Sequence, residues 1–405
     1  MIAPLDGIKI LEWSVFQQGP AATVMLGDLG AQVIKIEEKV GGDPGRGVRR
    51  ILGVAPPVMA GGRTYYLETF NRNKRSIAVD VRKERGKEII YKLVEQSDVF
   101  VRNFRPEAAT RLGLDYATLS KYNPQLIYAS ATGFGLKGPD SAVASYDIVG
   151  QARSGLMTQI GEPDMPPLSA PMGMCDQAAA VMVAYGILAA LVARERTGIG
   201  QEVDSSLLGS AMWLQALGIS FKLLLGQDLP QPSRSKAGNA LWNYYKCKDD
   251  KWICFAMAQS DRYWPDFCRA VGIEELEHDP RFEDMEKRRV NGEELVAILD
   301  KIFVTKTREE WSRILQDGVD LAFGPINTLG DLMNDPQVIE NEYVVDYEHP
   351  VLGKVRLLAS PVKFSKMSSN PRLPAPELGE HTEEILLEAD YTWEEIAELK
   401  EEEVI

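Results

Sequence analysis

A carboxylate at the mouth of a long apolar run is the first feature of this chain that could do chemistry. Asp176 stands immediately before QAAAVMVAYGILAALVARER at 177–196. There its side chain is expected to accept orphan N–H bonds of a helical first turn and to stay ionised at the positive end of the dipole. An ionised, partly desolvated carboxylate can attack an activated acyl carbonyl such as a thioester, giving a mixed anhydride that a released thiolate converts to an aspartyl thioester. Capping alone also explains an Asp at a helix start, so residue type leaves both readings standing.

The second feature is a local reversal of charge. Between Asn71 and Arg111, 11 Lys and Arg meet 6 Asp and Glu, a net of +5 inside a chain of net charge −14. NRNKRS at 71–76 and VRNFRP at 101–106 put cationic donors beside an aromatic ring, a combination suited to a phosphorylated purine nucleotide. Asn73, Lys74 and Arg75 are the candidates for that contact. Lys83, Arg85 and Lys87 read as exposed helix charges, and a solvated basic face is the alternative for the whole patch. A dinucleotide is disfavoured: VFQQGP occupies 15–20 where G-x-G-x-x-G would be needed, and one Gly followed by Pro does not admit a pyrophosphate closely.

These residues need a scaffold, and the sequence supplies one. At 405 residues the chain is expected to form two domains, one of them discontinuous. Strand signals at 8–11, 33–36, 76–81, 99–101 and 126–130 alternate with helical ones at 20–29, 84–96 and 107–111, which predicts a doubly wound α/β domain with right-handed crossovers. The helix over 177–196 is apolar all round, so it should be enclosed on every side, within its domain or by a partner subunit. A second apolar helix is expected over 205–225, and the Pro, Ser and Gly of 227–238 mark a boundary. A strand at 252–257 and amphipathic helices at 292–303 and 308–315 indicate a smaller α+β domain. TWEE at 392–395 has capping-box spacing before an acidic, solvated terminal helix to which no chemistry is assigned.

Composition excludes several function classes. The acidic balance argues against nucleic acid or an anionic membrane as partner. Four cysteines without a CxxC pair and three scattered histidines offer no metal site and fit a reducing cytoplasm. The start of the chain shows no basic region followed by an apolar one, so export is not expected. The apolar stretch at 178–193 falls short of the roughly 20 residues of a membrane span.

In their order and spacing the motifs resemble the class III CoA-transferases, the family of formyl-CoA transferase and carnitine CoA-transferase, with the related alpha-methylacyl-CoA racemases. The resemblance spans nearly the whole chain. It rests on PLDGIKIL (4–11), QQGPA (17–21), DLGAQVIKIE (28–37), NRNKRSI (71–77), Asn103-Phe104, GFG (133–135), Tyr146-Asp147, Asp176, TGIGQ (197–201) and GEHT (379–382). It implies a Rossmann-like large domain built from both chain ends (1–225 and 326–405), a smaller α+β domain at 226–325, and an interlocked dimer, either a homodimer or a heteromer with a related subunit. It also implies that Asp176 is the nucleophile, that Gln17 and Tyr146 line the reaction centre, and that Lys74, Arg75, Asn103, Phe104 and Arg111 hold the nucleotide of coenzyme A. The coenzyme would be a substrate, with no permanently bound cofactor and no metal.

Within that family the racemases carry His where this chain has Tyr146, and a phenol of reference pKa near 10 is a poor base for an alpha proton. Transfer of CoA between carboxylic acids is therefore preferred to racemisation of a 2-methylacyl-CoA, and a non-catalytic CoA-binding subunit is the third reading. A Gly-Gly-Gly-Gly-Gln loop is missing and Val15 replaces a polar residue, which argues against oxalate or formate chemistry. Trp213, Trp242, Tyr244 and Tyr245 could wall an apolar acyl pocket, with core packing as the alternative for each. An aromatic or alkyl-substituted acceptor of the benzylsuccinate or phenyllactate type is expected, with a succinyl-like donor.

Overall fold

One parallel sheet is built from β1 (Lys9–Trp13), β2 (Gln32–Glu37), β3 (Lys74–Ala78), β4 (Val99–Arg102), β5 (Ile127–Thr132) and the polar β6 (Gln201–Ser206). These positions come from a computed structural model that describes residues 3–48, 55, 57–171, 173–231, 233–317 and 320–405. The spatial order is β3-β2-β1-β4-β5-β6, and every pairing is parallel. β4 and β5 are buried along their whole length, as strands covered on both faces must be. Because the order reverses between β1 and β4, the loops after them part and leave a crevice at the carboxyl ends of the strands.

The helices that follow are α1 (Gln18–Asp28), α2 (Tyr65–Asn71), α3 (Glu84–Glu95), α4 (Pro106–Leu112), α5 (Tyr116–Leu119), α6 (Asp147–Arg153), α7 (Met174–Thr197), α8 (Leu207–Leu214) and α9 (Ala216–Leu225). On one face of the sheet α1 and α7 bury Leu26, Val183 and Ile187 against Ile10, Val101 and Ile127. On the other, α3 and the C-terminal helices Thr382–Glu388 and Trp393–Glu401 bury Ile90, Leu93, Ile385 and Leu399 against Leu11, Ile36 and Phe100. The last helix, expected to be solvated, thus inserts Ile396 and Leu399 into the core, while its Thr392–Glu395 capping box forms as expected.

Two helices depart from expectation. α7 is not enclosed on every side by its own chain: Ala180, Val183 and Ile187 are buried while Val181, Tyr185 and Val192 stand exposed. At 24 residues it is long and apolar enough to cross a membrane, yet its buried face lies in the core with α1 and the sheet. The single helix expected over 205–225 is broken into α8 and α9, bent by 80°. At the break the Gln215 side chain donates to the Ala211 carbonyl (2.9 Å) and to that of Ser154 (3.2 Å), while its own N–H turns to Met212. A side chain inserted into the helical ladder in this way is an ordinary cause of a kink.

By packing, the chain divides into two units, one of 1–158, 169–226 and 339–405, the other of 159–168 and 227–338. The second has its own antiparallel sheet of Tyr244–Lys246, Trp252–Phe255 and Phe323–Ile326. Its core gathers Trp264, Phe267, Phe303 and Trp311 from the helices beside that sheet.

Candidate active site

The first turn of α7 presents Asp176. Its helix opens after Gly173, whose φ of +72° suits glycine, and the expected capping by Asp176 itself does not occur. The cap is Asp147, at the start of α6, whose Oδ1 accepts the N–H groups of Cys175 (2.7 Å) and Asp176 (3.0 Å). Asp176 is left with a carboxylate that accepts no hydrogen bond from any described residue. Burial, joined by the charge of Asp147, pushes its carboxyl up to about 7, so the expectation of a fully ionised group is corrected: near neutral pH both forms are populated. Cys175 beside it is no rival nucleophile, because burial, with Asp147 and Asp176 adding to it, pushes the thiol up to about 12.

Gln17 reaches the same place from the other side of the crevice. It precedes α1, and its Nε2 donates to the Gly173 carbonyl at 3.1 Å. A Cβ on Gly173 would meet the Gln17 amide and make that side chain shift, so here the φ calls for glycine and the space ties Gly173 to the placement of Gln17. Tyr146 caps no backbone group and is 65% exposed, with its ring edge-on to Phe16 at 6.1 Å. Tyr66 of α2, which the sequence did not single out, feels the charge of Asp176, and burial together with that charge raises its hydroxyl pKa. Gln17, Tyr146 and Asp176 are thereby gathered around the start of α7.

The basic patch divides. Asn103 clamps the loop after β1, its Oδ1 accepting from the Val15 N–H (2.9 Å) and its Nδ2 donating to the Val15 carbonyl (2.6 Å). Phe104 packs against Trp13 at 4.3 Å between ring centres. Trp13, Phe104 and Arg111 line a cavity of about 420 Å³ at the carboxyl ends of β1, β2 and β4, together with Glu37, Val79 and Arg82. Arg111 has no ion-pair partner among the described residues.

The other three residues expected at a nucleotide are engaged inside the fold. Lys74 is buried, paired with Glu12 at 2.6 Å, and donates to the Pro20 carbonyl and to Asn71. Burial draws its ammonium down to about 8 despite Glu12. Asn73, at φ +60°, donates to Asp28 and accepts the N–H groups of Arg372 and Leu373, stitching the return segment to the sheet. Arg75 pairs with Glu384 and Glu388 of a C-terminal helix. Nothing in composition separates a cation that neutralises an internal carboxylate from one that awaits a phosphate.

The aromatics considered for an acyl pocket separate too. Tyr245 is core, stacked on Phe303 with its hydroxyl donated to the Ala240 carbonyl. Trp242 and Tyr244 are exposed on the wall of a cavity of about 1270 Å³ in the second unit, alongside Met165, Asn239 and Phe255. Trp213 is exposed on α8.

Comparison with known proteins gives the family. Residues 5–382 match the model of CoA-transferase family III. The chain is 35% identical to succinyl-CoA:glutarate CoA-transferase of Mus musculus over 386 residues, covering 95% of this chain and 86% of that one. It is 33% identical to cinnamoyl-CoA:phenyllactate CoA-transferase of Clostridium sporogenes, covering 98% and 96%. A crystal structure of a CAIB/BAIF family protein from Brucella suis superimposes with a TM-score of 0.85 at 32% identity, covering 96% of this chain and all of that one. With a family match over nearly its whole length and relatives that carry CoA between acids, the chain belongs to CoA-transferase family III and is an enzyme of that class.

Proposed function

We propose that the enzyme moves CoA from an acyl-CoA to a carboxylic acid by covalent catalysis on Asp176. The observation that carries this is the Asp176 carboxylate itself, held at a helix start by a cap that comes from another residue and accepting no hydrogen bond from any described residue. Attack on the thioester carbonyl gives a mixed anhydride and releases CoA thiolate. The thiolate attacks the aspartyl carbonyl, forming the aspartyl thioester and freeing the donor acid. The acceptor carboxylate attacks that thioester, and the thiolate, released again, takes the acyl group from the second anhydride and regenerates Asp176. Thioester is exchanged for thioester throughout, and no ATP or metal enters the sequence.

Gln17 and Tyr146 flank the carbonyl in this scheme, and the coenzyme's nucleotide lies in the crevice cavity against Phe104 with Arg111 on its phosphates. Asn103 serves there by holding the loop, and Asn73, Lys74 and Arg75 serve the scaffold. The relatives' names support the substrates: an aromatic or alkyl-substituted acid, as in the phenyllactate of one, with a succinyl-type donor, as in the other. The uncovered faces of α7 to α9 favour a dimer, which the resemblance makes an interlocked one.

Intact-protein mass spectrometry after mixing with a panel of acyl-CoAs tests the chemistry. A CoA-sized adduct, discharged by hydroxylamine and lost in Asp176→Ala, is the expected result. Absence of an adduct with every donor, with exchange of an alpha proton in its place, would overturn it.

A further inference from the structure

The loop between β1 and α1 brings Gln17 to the start of α7 through a backbone that glycine would adopt readily and phenylalanine does not. Phe16 has φ +61°, a left-handed conformation that is strained for a bulky side chain. Three side chains hold the polar groups of this loop. Lys35 donates to the Ser14 carbonyl at 2.9 Å, Asn103 takes both backbone groups of Val15, and Asp43 accepts the N–H of Phe16 through Oδ1 at 3.0 Å.

Asp43 is itself held on every side. It is 1% exposed, its Oδ1 also accepts from the Gly45 N–H at 2.8 Å, and its own N–H donates to Glu37 at 2.9 Å. The Lys35 ammonium stands 2.9 Å from Oδ2 as a charge contact without hydrogen-bond alignment. On the far side of Phe16, the Gln17 carbonyl accepts the first bond of α1 from Ala21, and the Gln17 side chain rests on Gly173.

From this geometry we propose that Asp43 is a positioning residue for the transfer reaction: by accepting the Phe16 N–H it keeps Phe16 left-handed and so aims Gln17 at the start of α7, beside Asp176. The proposal rests on the aspartyl reading for Gln17's place at the reaction centre. Asp43 also lines the crevice cavity, so the rival role is direct contact with the coenzyme, and a third is mere neutralisation of Lys35.

Kinetics of D43A, D43N, F16G and D43A/F16G separate the three. D43A is expected to lower kcat about 100-fold, the scale of an ångström of misplacement, with KM for acyl-CoA within about threefold. D43N keeps an acceptor for the Phe16 N–H and should retain activity within about fivefold, and the D43A penalty should shrink below about tenfold in the F16G background, where glycine needs no clamp. Equal losses in D43A and D43N, a penalty untouched by F16G, or a change confined to KM would each overturn the proposal.

Crystal structures read the same point without turnover. In D43A, Phe16 should leave the left-handed region and Gln17 should part from Gly173, and a Gln17 that stays in place overturns the proposal. Should D43A not fold, D43N decides: activity lost with Phe16 still held overturns it, activity kept with Phe16 held supports it. Failure of the aspartyl reading shows separately, as absence of the hydroxylamine-labile adduct on the unaltered enzyme.

Discussion

Asp176 carries a conflict between stability and chemistry that pH exposes. Its carboxyl is raised from 3.8 to about 7 by burial and by Asp147, and only the ionised form attacks a carbonyl. The kcat/KM for acyl-CoA should therefore rise with pH through a midpoint near 7, since that parameter reports the free enzyme. Asp147→Asn keeps an acceptor for the helix cap and removes the like charge, so the midpoint should move down; a midpoint that is unchanged or higher would count against this pairing. The stability consequence has the opposite sign. Between the unfolded value near 3.9 and about 7 the native chain holds a proton that the unfolded chain has released, so stability falls as pH rises across that window, and the full penalty is present above it. Asp176→Asn escapes the penalty and should be more stable than the parent at pH 8, by an amount on the order of a few kcal/mol, with the gain vanishing below pH 4. Urea unfolding at the two pH values measures both ends.

Elements decide what those side chains can reach, and here a buried ion cluster fastens three strands beneath the crevice. Glu12 of β1 meets Lys35 of β2 at 2.7 Å and Lys74 of β3 at 2.6 Å; burial alone would raise its carboxyl, but the two lysines hold it at about 2. Glu12→Gln would leave two buried ammonium groups short of a counter-charge and should cost about 3–5 kcal/mol in urea unfolding, against near-zero for an exposed pair such as Lys246–Asp250. Gly173→Ala tests the other junction. Its left-handed backbone should make it costly, about 1–3 kcal/mol, and the added Cβ should push the Gln17 amide aside and lower kcat; a fully active, equally stable variant would show that the contact is dispensable. The strands were legible as short apolar runs, and the helices over 84–96 and 292–303 because 3.6-residue periodicity records which face is buried. Phe16 and Asn73 in left-handed conformations were not, since neither is glycine and no local pattern marks the strain. The roles of Lys74 and Asp147 were hidden for another reason: their partners Glu12 and Cys175 lie 62 and 28 residues away, and only the folded chain brings them together, across the sheet for Lys74 and between α6 and α7 for Asp147.

On the scale of the whole molecule, what α7 to α9 leave uncovered is the strongest pointer to a second chain. Tyr185, Trp213, Leu217, Leu223 and Leu224 are all more than two-thirds exposed, a concentration of large apolar side chains that a lone chain in water does not normally display. The sequence foresaw an enclosed α7 because its run is apolar all round, and left open whether its own domain or a partner encloses it. Its own domain covers one face. The proposed dimer, if its chains are interlocked, would have a property that ordinary dimers lack: links cannot part on dilution without unfolding. Light scattering should give twice the chain mass at every concentration down to the nanomolar range, and equal-mass labelled and unlabelled dimers should exchange subunits only after denaturation. Replacing Leu217 and Leu224 together by Glu would bury two charges in that interface and should prevent assembly, giving a monomer or an aggregate with little transferase activity. A parent enzyme that runs as a monomer would sink the dimer, and one that dimerises but exchanges subunits freely under native conditions would keep the dimer and sink the interlock.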